Sequence, residues 1–264
     1  MEENKISTKH PRAESLRIRH KLTEQFKNGI VAEAGLIAHG RGEAFDYLLG
    51  EKTPLPAQLA LKAAAATLLT AKQPVISVNG NAAALAANEL VQLAKLVKAK
   101  IEVNLFYRSL ERELAIQTLL QEAGAEVLGV GTDATIKLSE IQSERQRVDA
   151  RGILIADVIF VPLEDGDRTE ALVKRRKTVI AVDLNPLSRT SRFATITIID
   201  NIVRALPALI ENVEKLKKKN SKELERIKAR FDNQKNIRQT LKLINRRLVR
   251  LSKDNPHKTD PRKT

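Results

Sequence analysis

Six short apolar runs, spaced along the middle of the chain and separated by helical patterns, constrain this fold more than any other feature. They are PVISVNG (74–80), KIEVNLFYR (100–108), AEVLGV (125–130), ADVIFVPL (156–163), TVIAVDLNP (178–186) and ATITIID (194–200). Each is rich in Val, Ile or Leu and is nearly continuous in its apolar character, as expected of a strand buried on both faces. Helical stretches are expected between them: 81–99, 109–124 closed by Gly124, a polar stretch over 137–150, and 167–176. Strands alternating with helices predict a mostly parallel sheet covered by helices on both faces, an α/β Rossmann-like fold.

Helical composition also flanks this core. Residues 13–28 and 56–70 read as helices, as does the tail from 202 to 253. The expected organisation is an N-terminal helical segment (1–70), a Rossmann-like core (71–204) and a basic C-terminal helical segment (205–264). The net charge of +14 is uneven. Residues 211–264 carry 18 Lys and Arg against 7 Asp and Glu, and the other residues carry 28 against 25. The tail has an apolar stripe, Leu241, Ile244, Leu248 and Leu251, at helical spacing. It packs either on the chain's own core or on a second subunit.

Several chemistries are excluded. Cysteine is absent, so there is no thiol nucleophile and no Cys-ligated metal. Histidine occurs only at 10, 20, 39 and 257, too few and too scattered for a histidine metal cluster. No P-loop, complete G-x-G-x-x-G, H-E-x-x-H or G-x-S-x-G signature is present. No apolar run approaches the roughly 20 residues of a membrane helix, and the polar start of the chain is unlike a signal peptide, so the expected location is the cytoplasm. A basic tail suggests RNA, but aromatic residues make up only 3%, which counts against base stacking.

The strand exits are where ligands bind in such a sheet, and here they are polar: Asn79-Gly80-Asn81, 104–108, 163–169, 183–192 and Asp200-Asn201. Asparagines there can read a sugar or an amide, and Arg189 and Arg192 can bind phosphate. Asp165 and Asp167 can hold Mg²⁺ or an amine, or cap the helix that follows. His39-Gly40-Arg41-Gly42 is either a ligand loop, with glycines allowing close backbone approach, or a turn into a helix bearing an exposed arginine.

The strings HPRAESLRIR, AEAGLIAHGRGEAFDYLLGEKT, PVISVNGNAAAL, KIEVNLFYR, VPLEDGDRTEALV and DLNPLSRTSRFATITIIDNIVRA run from about residue 10 to 204. In them the chain resembles the archaeal 4-phosphopantoate–β-alanine ligases, also called phosphopantothenate synthetases. The resemblance implies a homodimeric enzyme that uses ATP and Mg²⁺ to join 4-phosphopantoate to β-alanine through an acyl-adenylate, releasing AMP and diphosphate on the way to coenzyme A. It implies ATP contacts at Arg19, Arg41, Asp183, Leu184, Asn185, Arg189, Thr190, Asn201 and Ile202. It implies the phosphorylated substrate near Asn79, Gly80, Asn81 and Arg108. Catalytic roles fall to Arg41, to His39 as a proton carrier or a structural hydrogen bonder, and to Asp165.

Overall fold

A computed structural model describes residues 7, 9–163 and 166–253. Three helices come first: α1 (Ala13–Lys27), α2 (Glu33–Leu49) and α3 (Leu55–Thr70). The alternating part runs β1 (Pro74–Val78), α4 (Gly80–Val97), β2 (Lys100–Val103), α5 (Leu110–Glu122) and β3 (Val127–Leu128). A small hairpin, β4 (Ile136–Lys137) with β5 (Arg147–Val148), precedes β6 (Val158–Pro162), α6 (Gly166–Lys174), β7 (Thr178–Val182), α7 (Arg189–Phe193) and β8 (Ile196–Ile198). The chain continues through α8 (Ile202–Leu216), α9 (Ser221–Ala229) and α10 (Asn233–Leu251).

The main sheet has the order β3-β2-β1-β6-β7-β8, and every pairing in it is parallel. The direction of winding reverses between β1 and β6. A sheet wound this way opens a crevice beyond the carboxyl ends of those two strands.

Side chains alternate between two cores, as a pleated strand requires. Ile76, Phe160, Ile180 and Val182 face a large core shared with α3, α4 and α8. Val75, Ile159, Val161, Val179 and Ala181 face the opposite core under α6 and the 138–153 segment. Helix α3 is apolar around most of its circumference, with Ala63, Ala64, Ala65 and Ala66 all buried. Such a helix belongs inside, and α8, α9 and α10 close over it.

The helix expected over 137–150 is absent. That segment forms the β4–β5 hairpin and one 3₁₀ turn at Glu144–Gln146. Leu138, Ile141 and Val148 bury against the sheet, and side chains satisfy its backbone in place of helical hydrogen bonds. Asn104 Nδ2 donates to the carbonyls of Arg145 (3.3 Å) and Arg147 (2.9 Å). Glu102, fully buried on β2, accepts from the amides of Asp149 (3.0 Å) and Ile153 (2.6 Å). Burial drives the Glu102 carboxyl up to about 7, against the downward pull of those amides.

The stripe on α10 divides. Ile237 and Ile244 are buried against Leu49, Leu184 and Ile199, with Leu241 packed beside them. Leu248 and Leu251 are exposed. Own-core packing therefore accounts for the first half of the stripe.

Candidate active site

A cavity of about 550 Å³ runs along the carboxyl edge of the sheet. Most of its walls begin where a strand ends. Asn79-Gly80-Asn81 follow β1, Leu105 to Tyr107 follow β2, and Leu163 and Gly166 follow β6. Asp183 to Asn185 and Ser188 to Thr190 follow β7, and Asn201 and Ile202 follow β8. Helix α2 contributes His39, Arg41, Gly42 and Phe45. The first residues of α4, α6 and α8 line the cavity, so three helix N-termini present their partial positive charge to it.

The turn after β7 is organised around one carboxylate. Asp183 accepts from the Asn185 amide (2.9 Å) and from the Ser188 hydroxyl. Ser188 in turn caps α7 by accepting from the Ser191 amide (2.9 Å). Burial raises the pKa of Asp183, opposed by these hydrogen bonds and by the charge of Arg41. Leu184 and Thr190 are buried in the cavity wall. Arg189 stands at the rim, bridged to Glu170 (2.7 Å) and lying over the ring of Phe193.

Residues 39–42 form neither a loop nor a loop-to-helix turn. They lie in the middle of α2, which starts at Glu33 and ends at Gly50 in the left-handed conformation (φ 90°). Arg41 is exposed on this helix, and among the described residues it has no hydrogen-bond or ion-pair partner. His39 is half-buried, and burial lowers its pKa, so the imidazole is neutral at pH 7. Two polar clusters fix the helix. Glu43 accepts from Ser15, from Arg19 (2.7 and 3.1 Å) and from Tyr47 (2.9 Å). Burial would raise this carboxyl, but those bonds outweigh it and hold it at about 2. Asp46 pairs with Arg204 (2.5 Å) and accepts from Asn201 Nδ2 (2.9 Å). Arg204 also holds Asp200 (2.7 Å), which accepts from the Thr53 hydroxyl (2.6 Å). Arg19 is thus committed to Glu43 and does not line the cavity.

At the β1 exit the polar residues serve the fold as well as the cavity. Asn79 caps α4 through the Ala82 amide (3.0 Å) and donates to the Leu163 carbonyl (2.6 Å), joining the ends of β1 and β6. Asn81 donates to the Gly35 carbonyl (2.8 Å), tying α4 to α2. A Cβ on Gly80 would stand 2.2 Å from the Ile30 carbonyl oxygen, so only glycine fits there. Arg108 is not a cavity residue. It is buried against Glu113 (2.8 Å) and donates to the Gly129 carbonyl (3.2 Å). Asp167 is partly buried in the first turn of α6 and does not line the cavity, and Asp165 lies outside the described residues. Among the described residues no three His, Asp or Glu side chains gather as a metal site.

Sequence reading does not single out Arg112 or Arg145, which line the cavity beside the β2 exit. Arg112 sits inside a helical run like any surface arginine, and only the sheet order turns it inward. Nor does it find Arg204, one helical turn beyond Asp200. A smaller cavity of about 340 Å³, with Lys95, Lys98 and Lys100 on its wall, lies at the opposite edge. The C-terminal ends of α4 and α5 face it, and their carbonyls disfavour anions.

A family profile described as "Phosphopantothenate/pantothenate synthetase" matches residues 56–247. The chain is 50% identical over 249 residues to a 4-phosphopantoate–β-alanine ligase of Thermococcus kodakarensis, covering 94% of this chain and 95% of that protein. It is 50% identical over 248 residues to the enzyme so named in Thermococcus onnurineus, with 94% and 95% covered. It is 49% identical over 240 residues to that of Methanosarcina mazei, with 90% and 94% covered.

Proposed function

This chain belongs to the phosphopantothenate/pantothenate synthetase family, and we propose that it condenses 4-phosphopantoate with β-alanine, driven by cleavage of ATP to AMP and diphosphate. The observation that carries the reading is the cavity. It spans the sheet's carboxyl edge, offers three helix N-termini to anions, and has Arg41 on the helix that covers it. ATP takes the end formed by Asp183, Leu184, Asn185, Arg189, Thr190, Asn201 and Ile202, and 4-phosphopantoate takes the end nearer Asn79, Gly80 and Asn81.

A carboxylate is a poor acyl donor. Its oxygen attacks the α-phosphorus of ATP, diphosphate leaves, and an acyl-adenylate forms. The β-alanine amine then attacks the acyl carbon and AMP leaves. Both steps put negative charge on phosphate oxygens, which Arg41 and the helix N-termini stabilise. Neutral His39 can accept the proton that the amine gives up. Mg²⁺ needs only one or two carboxylates when phosphate oxygens complete its shell. The cavity wall offers one carboxylate among the described residues, Asp183, which already accepts from Asn185 and Ser188, so an ion would arrive on the nucleotide. Bound there, Mg²⁺ would neutralise phosphate charge.

The enzyme is read as a homodimer of the cytoplasm. No helix among the described residues is long and apolar enough to cross a membrane. The basic C-terminal helices pack on the fold through Leu224, Ile237 and Ile244, and nucleic acid is not proposed as a partner.

The test is incubation with ATP, Mg²⁺, 4-phosphopantoate labelled with ¹⁸O in its carboxylate, and β-alanine. AMP carrying the label and diphosphate are expected. ADP and phosphate as products would replace the adenylate with an acyl phosphate.

A further inference from the structure

Resting on that reading, we infer that Arg112 is the residue that receives the phosphate of 4-phosphopantoate and so sets the preference for the phosphorylated acid. The argument begins with charge. Arg112 lines the cavity and is half-buried, yet among the described residues it has no carboxylate partner. Its protein partners are two backbone carbonyls, those of Tyr107 and Ile30 (3.0 Å). Its Nε is buried without an acceptor among the described residues. Burial lowers its pKa, and among the described residues no acid offsets that effect. Arg108, four residues earlier, is the opposite case, with Glu113 at 2.8 Å.

A second positive element stands beside it. A Cβ on Gly80 would lie 3.0 Å from Arg112 Nη2, so the guanidinium abuts the first residue of α4. A half-buried cation against the positive end of a helix is unfavourable until an anion joins them. Arg145 lines the same cavity. A phosphate dianion supplies what this corner lacks.

Topology then decides which anion. The nucleotide end is at β7 and β8, and the Arg112 corner is at the β2 exit, with β1 and β6 between β2 and β7. Three strand spacings separate β2 from β7, about 14 Å. The substrate's carboxylate has to meet the α-phosphorus. Its phosphate, at the far end of the carbon chain, therefore points toward β2.

The experiment compares kcat/KM for 4-phosphopantoate and for unphosphorylated pantoate, in the unaltered enzyme and in Arg112→Gln, with KM for ATP and β-alanine measured alongside. The expected result is that KM for 4-phosphopantoate rises about ten- to hundredfold. The preference over pantoate shrinks by a similar factor, while KM for ATP and β-alanine stays. Arg112→Lys keeps the charge without the fork and should fall between; it carries the comparison if the glutamine variant does not fold. An active enzyme whose preference for the phosphorylated acid is the same in the folded variant overturns the inference alone. An unaltered enzyme that forms no AMP from either acid takes the functional reading down and the inference with it.

Discussion

Arg41 lines the cavity, and among the described residues no acid forms an ion pair with it, which is how a group waiting for a phosphate looks. Replacing it by lysine retains charge and removes the planar pair of donors. The expected loss is about 1–3 kcal/mol of transition-state stabilisation, read as a fall in kcat/KM at unchanged thermal midpoint. An unchanged kcat/KM would make Arg41 a surface residue. Glu102 gives a different test, on stability. Its carboxyl is near 7 in the folded protein and 4.5 ordinarily. Between those values the folded state holds a proton that the unfolded chain has released, so stability falls as pH rises through the window. The decline amounts to about 3 kcal/mol by pH 8. Urea midpoints at pH 5 and pH 8 should differ in the native protein and draw together in Glu102→Gln. Glu43 has the reverse sign: its carboxyl is depressed to about 2, so its contribution is complete above 4.5 and is lost only in strong acid. The types of these residues are legible in the sequence, but their partners are not. Asn79 and Arg108 look equally available as ligand groups on paper, and in the fold one caps a helix while the other neutralises Glu113.

At the scale of elements, the alternating apolar runs predicted all six strands of the main sheet, because β-branched runs bounded by Asn, Asp and Gly have few other uses. Local pattern failed at 137–150, where distant side chains, Asn104 and Glu102, replace helical hydrogen bonds. It failed again at Gly40 and Gly42, whose turn signal is overridden by the helical pattern around them. Helix α2 therefore carries glycine where packing does not ask for it. A Cβ on Gly40 meets nothing within 4 Å, so Gly40→Ala should stabilise the protein by about 1 kcal/mol. Gly35, in the first turn of the same helix, differs. Its added Cβ would fall 2.3 Å from Asn81 Oδ1, and Gly35→Ala should cost about 1–3 kcal/mol. Chemical denaturation of the two variants separates these outcomes, and a Gly40→Ala protein no more stable than the parent would count against a straight, rigid α2.

For the whole molecule, the basic tail is part of the fold. Leu224 of α9 and Ile237 and Ile244 of α10 are buried, so removing residues beyond 220 should unfold the protein rather than detach a nucleic-acid arm. Ile244→Asp should do the same, since a buried unpaired charge costs several kcal/mol. The exposed remainder, Leu248 and Leu251, is the part of the stripe open to a second subunit. Leu248→Asp with Leu251→Asp should leave the monomer folded and weaken a dimer resting there, which sedimentation at several concentrations would read. An unchanged association would move the interface elsewhere. The way the sheet is wound has one more consequence, which concerns time. β1 joins β6 through Val75 and Ile159, and much of the cover of α3 comes from α8, α9 and α10. A chain growing on a ribosome therefore leaves an edge of β1 open until β6 emerges, and the apolar faces of α3 exposed until its last helices do. Nascent chains halted near residue 200 should cling to chaperones or aggregate, and those carried past α10 should be released.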